Sequence, residues 1–188
     1  MNNPYDCNQV LEIVEQTLVE VLGCSPDEVL PDLSIAEELG GDSLDFVELR
    51  YVLEKKLGMT LPQKSVLDAF IEQIGDEARV IERGRVTELA AHVLQHSLFR
   101  YDAKSASPGM QPYDVFSATT VRQWANLCLH MFDYLPAACP ECGHQHAVVA
   151  PSGKAACGHC GAVLKPAAGD EAMSRSVAAI AKSLAEVA

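Results

Sequence analysis

Leu39-Gly40-Gly41-Asp42-Ser43-Leu44-Asp45 lies between two stretches of helical periodicity, and its reading decides the fold. Asp42 fits a helix N-cap and Asp45 the third helical position, the reciprocal pair of a capping box. Ser43 is then the first helical residue. Its hydroxyl stands beside backbone N–H groups that have no partner within the helix, where the positive end of the dipole favours an attached phosphate. The helix that follows, Ser43 to Leu57, carries two apolar stripes. Phe46, Leu49, Leu53 and Leu57 recur at spacings of three and four and suit burial in a bundle. Leu44, Val47 and Tyr51 form the second, interleaved with Asp45 and Glu48. That stripe reads either as extra core or as a partner surface of apolar anchors ringed by carboxylates.

Outward from this stretch the pattern stays helical. Leu11, Val14, Leu18 and Val21/Leu22 predict a helix over Asn8–Leu22, which Gly23 ends. A loop opens at Cys24-Ser25-Pro26 and runs to Ser34, where Ser34 and Glu37 give a second capping-box signature for one short helical turn. Val66-Leu67, Phe70-Ile71 and Ile74 mark a further helix, ended by Gly75-Asp76, and a last one runs from Val86 to Gln95. The charge is uneven: residues 1–100 hold 19 acidic and 8 basic side chains, residues 101–188 hold 7 and 6. Nucleic acid and anionic membranes are poor partners for the acidic half, and a basic protein surface is a good one. No apolar run approaches the ~20 residues of a membrane span. Met1-Asn2-Asn3-Pro4-Tyr5 lacks the features of a signal peptide, so a cytoplasmic location is expected.

Leu39-Gly40-x-Asp42-Ser43-Leu44-Asp45-x-Val47-Glu48-Leu49 resembles the prosthetic-group motif of the acyl carrier proteins of type II fatty acid and polyketide synthesis. Val29, Ser34 and Glu37-Glu38-Leu39 match the loop before it, and Leu53-Glu54 through Leu61-Pro62 match the end of the second helix. The resemblance covers about residues 1–98. It implies a mainly α fold, a four-helix bundle, and a covalent 4′-phosphopantetheine on Ser43, the one serine at that position of the motif. It also implies a carrier, not an enzyme: the arm's thiol holds an acyl thioester for others to act on. The implied partners are a phosphopantetheinyl transferase and acyl-loading and acyl-using enzymes with basic docking surfaces. These would meet the second helix at Asp42, Leu44, Asp45, Val47, Glu48 and Tyr51.

The chain departs from the family pattern in two places. Arg50, Lys55 and Lys56 stand where the second helix is usually apolar or acidic, which shortens the acidic strip and points to a dedicated partner; Lys55 and Lys56 also suit the helix C-terminus. The segment between Ser43 and the last helix is longer than the norm, which predicts a lengthened third helix or loop. The cargo stays open between fatty acyl, polyketide and aminoacyl, since Leu39-Gly40-Gly41-x-Ser43 also suits peptidyl carriers. An unmodified scaffold protein is the other alternative. A hydrolytic role for Ser43 finds no Gly-x-Ser-x-Gly elbow and no histidine placed as its base.

The second motif is Cys139-Pro-Glu-Cys142-Gly-His, then Cys157-Gly-His-Cys160-Gly. Two Cys-x-x-Cys turns, each followed by a glycine that lets the backbone turn tightly, can set four thiolates around one Zn²⁺. Four thiolates leave no open position, so the site is structural. Redox dithiols, disulfides and a Cys₄ iron centre are the rival readings. His144, His146 and His159 read as loop residues, and Cys7, Cys24 and Cys128 as structural thiols. This part resembles a zinc ribbon over residues 136–166, with Val148-Val149 in a strand, and reads as a partner-docking module. The basic residues Lys154 and Lys165 are too few for a nucleic-acid footprint.

The predicted organisation is a helical bundle over 1–100 and a linker over 101–118. A unit over 119–188 follows: a helix from Thr119/Thr120 to Tyr134, the ribbon, and a C-terminal amphipathic helix. In that last helix Met173, Val177, Ile180, Leu184 and Val187 form a narrow seam.

Overall fold

The structure, a computed structural model, describes residues 1–187, with side chains through Glu186. Helices dominate: α1 (Cys7–Leu22), α2 (Ser43–Leu57), α3 (Val66–Ile74), α4 (Glu88–His96), α5 (Pro112–Ser117), α6 (Val121–Met131) and α7 (Gly169–Val187). Two antiparallel hairpins complete it, β1 (Ile81–Glu82) with β2 (Arg85–Val86), and β3 (Ala147–Val149) with β4 (Ala155–Cys157). Polar caps set most helix starts. Asp6 and Gln9 form a capping box on α1, as do Asp42 and Asp45 on α2 and Thr120 and Gln123 on α6. Ser65 and Thr87 cap α3 and α4 through their side chains. Each cap satisfies N–H groups that the helix itself cannot.

α1 packs against both α2 and α6, while α3 packs against α4 and α7. Val14 and Leu18 of α1, Leu49 and Leu53 of α2, Leu127 and Met131 of α6, and Met173 and Val177 of α7 belong to one buried cluster. The second stripe of α2 is not core, since Leu44, Val47 and Tyr51 are 75%, 65% and 62% exposed.

Two expectations change and one is narrowed. Residues 101–118 are packed rather than a free linker: Tyr101, Ser105, Ala106 and Val115 are buried, and Gln123 Nε2 donates to Ser105 Oγ at 2.9 Å. The Pro and Gly of that stretch set turns, and Pro112 opens α5, where its missing N–H costs nothing. Of the two places expected for the added length, the helix or its loop, it falls in the loop, since α3 ends at Gly75 as expected. It folds into a 3₁₀ turn and the β1–β2 hairpin, whose Val86 exchanges backbone hydrogen bonds of 2.9 and 2.8 Å with Met110 and Gly109. Ser34 is held by Glu38, not Glu37: Glu38 Oε2 accepts from its N–H at 2.7 Å, closing a turn.

α7 starts hard against the α2–α3 loop. Asp170 Oδ1 accepts from the N–H groups of Gln63 and Lys64 at 2.7 and 3.0 Å. A Cβ on Gly169 would clash with the Leu61 carbonyl carbon, and backbone cannot swing aside as a side chain can. Gly169→Ala is therefore expected to cost about 1–3 kcal/mol of stability through overpacking. Urea unfolding measures it, and an unchanged midpoint would contradict the contact. The α7 seam fades along its length: Met173 and Val177 are buried, Ile180 and Leu184 half-buried. Val187, its last expected member, lies outside the residues with described side chains. No described helix is long and apolar enough to cross a membrane.

Candidate functional site

The loop before α2 is held by its backbone, with Gly41 N–H donating to Ile35 O at 2.8 Å. Asp42 Oδ1 then accepts from the N–H groups of Leu44 at 2.7 Å and Asp45 at 3.1 Å, and Asp45 Oδ2 accepts from Asp42 N–H at 2.8 Å. Both carboxylates are thus occupied in starting the helix. Ser43, between them, is exposed, and among the described residues its hydroxyl makes no hydrogen bond to the protein. A nucleophilic oxygen left free at a capped helix N-terminus is open to modification, and the helix end favours the phosphate that would arrive there.

Leu44, Val47 and Tyr51 continue along α2 as an exposed row, beside the exposed carboxylates of Asp42 and Glu48 and the half-buried one of Asp45. The basic residues of this helix have separate tasks. Lys56 pairs with Glu20 of α1 at 2.9 Å and reaches Thr17 at 3.2 Å, so it ties two helices together. Arg50 donates to the Pro62 carbonyl of the α2–α3 loop.

The other flank of α2 opens onto a cavity of about 460 Å³ between α2, α3, α5 and α6. Phe46, one turn beyond Ser43, has its ring 4.8 Å from Phe116 and 5.9 Å from Trp124, both of which line that cavity. Arg50, Leu67, Leu94 and Tyr101 line it as well. Burial pushes the Tyr101 phenol up to about 12. Sequence reasoning missed this feature because Tyr101 and Phe116 fall in the stretch read as a linker.

At the other end of the chain, the four predicted cysteines converge. Cys139 Sγ lies 3.7 Å from Cys160 Sγ and Cys142 Sγ lies 3.6 Å from Cys157 Sγ, with all four atoms within 4.8 Å of one another. A tetrahedron with metal–sulfur bonds of about 2.3 Å has corners about 3.8 Å apart, so the donor set fits a metal ion. The two turns are alike: Gly143 N–H donates to Cys139 O and Gly161 N–H to Cys157 O, at 2.8 and 2.9 Å. Both glycines take the positive φ these turns require, 75° and 73°. Backbone N–H groups of Cys160 and His159 hold the Cys157 thiol down to about 6. The His144 N–H also lowers Cys142, yet burial and the neighbouring thiols outweigh it and push that group up to about 12. Four thiols this close cannot all ionise easily unless a cation offsets their repulsion. His144, His146 and His159 are exposed in the surrounding loops.

A capped, solvent-facing serine at the head of an acidic, apolar-studded helix is compatible with the class of carriers that receive a phosphopantetheine arm. The family model described as "Phosphopantetheine attachment site" matches residues 12–70. The acyl carrier protein of Sulfurovum sp. (strain NBC37-1) is 42% identical over 69 residues, which are 37% of this chain and 89% of that protein. That of Wolinella succinogenes is 34% identical over 76 residues, 40% of this chain and 97% of that protein. That of Thermosynechococcus vestitus is 39% identical over 57 residues, 30% of this chain and 70% of that protein. No solved structure matches. The chain belongs to the acyl carrier protein family, whose members are carriers and not enzymes.

Proposed function

We propose that Ser43 is the attachment residue and that the protein carries acyl intermediates for partner enzymes of fatty acid, polyketide or related secondary metabolite synthesis. The reading is carried by the free, exposed Ser43 hydroxyl within a motif that matches the family. In the modifying step Ser43 Oγ attacks a phosphorus of coenzyme A. A P–O bond forms to Ser43, the pyrophosphate P–O bond breaks, the adenosine bisphosphate leaves, and the hydroxyl proton passes to a base of the transferase. Once attached, the arm supplies a thiol that holds the cargo as a thioester. Asp42 and Asp45 keep the serine at the mouth of the helix through their caps. Leu44, Val47 and Tyr51, flanked by Asp42, Asp45 and Glu48, are the docking row, with charge steering encounter and the apolar anchors giving contact.

The Cys139, Cys142, Cys157 and Cys160 cluster holds a structural Zn²⁺. Its sulfur spacing and all-thiolate chemistry support that choice, and in a reducing cytoplasm, the location expected for this chain, such thiols stay available to a metal. The ribbon also presents Val148 and Val163 to solvent, which suits it as a docking module for a partner enzyme. The test of the carrier role is intact-mass measurement after incubation with coenzyme A and a broad-specificity phosphopantetheinyl transferase. One phosphopantetheine adduct per chain is expected; folded protein that gains no mass overturns the reading.

A further inference from the structure

We propose that the groove between α4 and α7 binds a phosphate monoester with a small apolar body, held by Arg100, His92 and His96. The inference is independent of the carrier reading, since no residue lining the groove lies in the 12–70 stretch that matches the family. The chain holds 26 acidic and 14 basic residues, yet no carboxylate lines this groove of about 330 Å³. Its wall offers donors from Arg100, His92, His96, Tyr134 and Ser176, and an apolar strip from Ile180. The charged groups on the surrounding elements are engaged elsewhere or set apart. Asp133, beside Tyr134, accepts from His130 at 2.9 Å and from Asn3 at 3.2 Å. Arg175 and Lys182 of α7 pair with Glu171 and Glu186, and Glu88 lies a full turn before His92 at the start of α4.

Arg100 is the first support for the site. Arg83 and Arg100 are the two non-glycine residues at positive φ among the described residues, at 52° and 53°. The β1–β2 turn demands that conformation of Arg83, as tight hairpin turns do. Arg100 instead ends a turn closed by its own N–H on Ser97 O at 3.0 Å, and it stands between Phe99 and Tyr101, whose stacked rings lie 5.2 Å apart. A glycine would meet that backbone without the crowding of a Cβ, so what the arginine adds is its side chain. Arg100 is exposed, and among the described residues its guanidinium forms no ion pair. A backbone outlier that carries an unpaired charge to the edge of a groove points to a binding role.

The histidines then select the ligand. His92 and His96, one turn apart on α4, stack with ring centroids 4.1 Å apart. The His92 carbonyl can only accept, so the proton of its 2.9 Å hydrogen bond sits on His96 Nδ1, which leaves Nε2 to a ligand. Two protonated rings this close repel each other, and an anion against both offsets that cost. A metal ion is disfavoured. The pair has no third ligand, since the four cysteines are the group of three or more close donors among the described residues, and Arg100 repels a cation. Histidine takes on its charge between about pH 5 and 8, the span in which a phosphate monoester takes on its second. The planar fork of an arginine matches phosphate oxygens in pairs. The groove is at the small end of the range for small-molecule sites, and Ile180 with the Tyr134 ring suits an apolar or aromatic body beside the phosphate.

The full-length protein is titrated with inorganic phosphate, phenyl phosphate, benzoate and sulfate while its backbone and imidazole resonances are followed by NMR. Saturable shifts are expected at His92, His96, Arg100 and Ile180. Phenyl phosphate is expected to bind about fivefold more tightly than inorganic phosphate, which about 40 Å² of apolar contact would give. Benzoate, with one charge, is expected to bind about tenfold more weakly than phenyl phosphate. Sulfate keeps both charges throughout, so its affinity is expected to fall about tenfold from about pH 6 to about pH 8 as the histidines lose theirs. Arg100→Gly is expected to weaken sulfate at least about tenfold while the unfolding midpoint holds or rises, since glycine relieves the backbone. His92→Gln with His96→Gln is expected to bring binding at about pH 6 down to its level at about pH 8. Shifts that do not saturate, or Arg100→Gly protein that binds as the parent does, overturn the site. A lower midpoint for Arg100→Gly makes the arginine a packing residue and overturns its assignment. Benzoate binding as tightly as phenyl phosphate overturns the ligand class, and nickel ion saturating the histidine pair undisturbed by phosphate overturns the anion in favour of a metal.

Discussion

Ser43→Ala is expected to fold as the parent does and to gain no mass with coenzyme A and the transferase, a complete loss of modification. Stability should hold because Ser43 caps nothing. The α2 cap belongs to Asp42, whose Oδ1 takes both available N–H groups, while the Ser43 hydroxyl has no protein partner among the described residues. Alanine is the best helix former and exposes no new apolar surface of note, so thermal unfolding should move by less than about 0.5 kcal/mol equivalent. Asp42→Ala is the control with the opposite signature. It removes the reciprocal cap, costs about 1 kcal/mol, and leaves an attachable hydroxyl behind. A folded Ser43→Ala protein that still gains the adduct would place the arm on another residue and detach the motif from its role.

The parts of this fold that were legible in the sequence are those where a local cap and a helical period coincide. Asp42 with Asp45, and Thr120 ahead of Trp124, Leu127 and Met131, each state a helix start and its buried face within a dozen residues. The four cysteines were legible for a related reason: their spacing within each turn encodes the geometry, and the fold only has to bring two turns together. The cavity was not legible. Phe46 meets Phe116 across seventy residues of sequence, and no period or cap announces a contact of that range. Tyr101, Val115 and Phe116 are spaced irregularly among Ser, Pro and Gly, so composition suggested a linker where packing made a wall. The β1–β2 hairpin left a weak trace. Its turn puts Arg83 and Gly84 at positive φ, 52° and 76°, and only the glycine is a usual residue for that conformation. The exposed row of Leu44, Val47 and Tyr51 shows the remaining limit: periodicity gave two apolar stripes on α2, and only the arrangement of its neighbours decided which one is buried.

Removing the metal is expected to unsettle far more than the ribbon. Between Pro136 and Pro166 the buried apolar side chains apart from the cysteines are Ala147, Ala155, Ala156 and Leu164, a core too small to fold on its own, so the proposed ion would supply the free energy of that segment. The ribbon in turn braces the rest of the molecule. Tyr5 donates its hydroxyl to Gly153 O at 2.6 Å, just ahead of α1, and its ring sits 4.4 Å from Phe132. The methylenes of Lys154 lie over Gly58 at the end of α2, the nearest 3.1 Å from where a Cβ would stand. Ala167 N–H donates to Tyr134 O at 3.0 Å, which places the chain for the start of α7. Chelation, or Cys157→Ser, is therefore expected to lower the unfolding midpoint by about 10 °C or more, given about 2–4 °C per kcal/mol in a chain of this size. Elemental analysis should find one zinc per parent chain and none in the variant. Modification of Ser43 should persist below the new midpoint, because α2 keeps its own cap and its packing on α1. A midpoint indifferent to chelation, or protein from metal-replete cells that holds no zinc, would mean that the thiols close the ribbon without an ion and that this brace has another source.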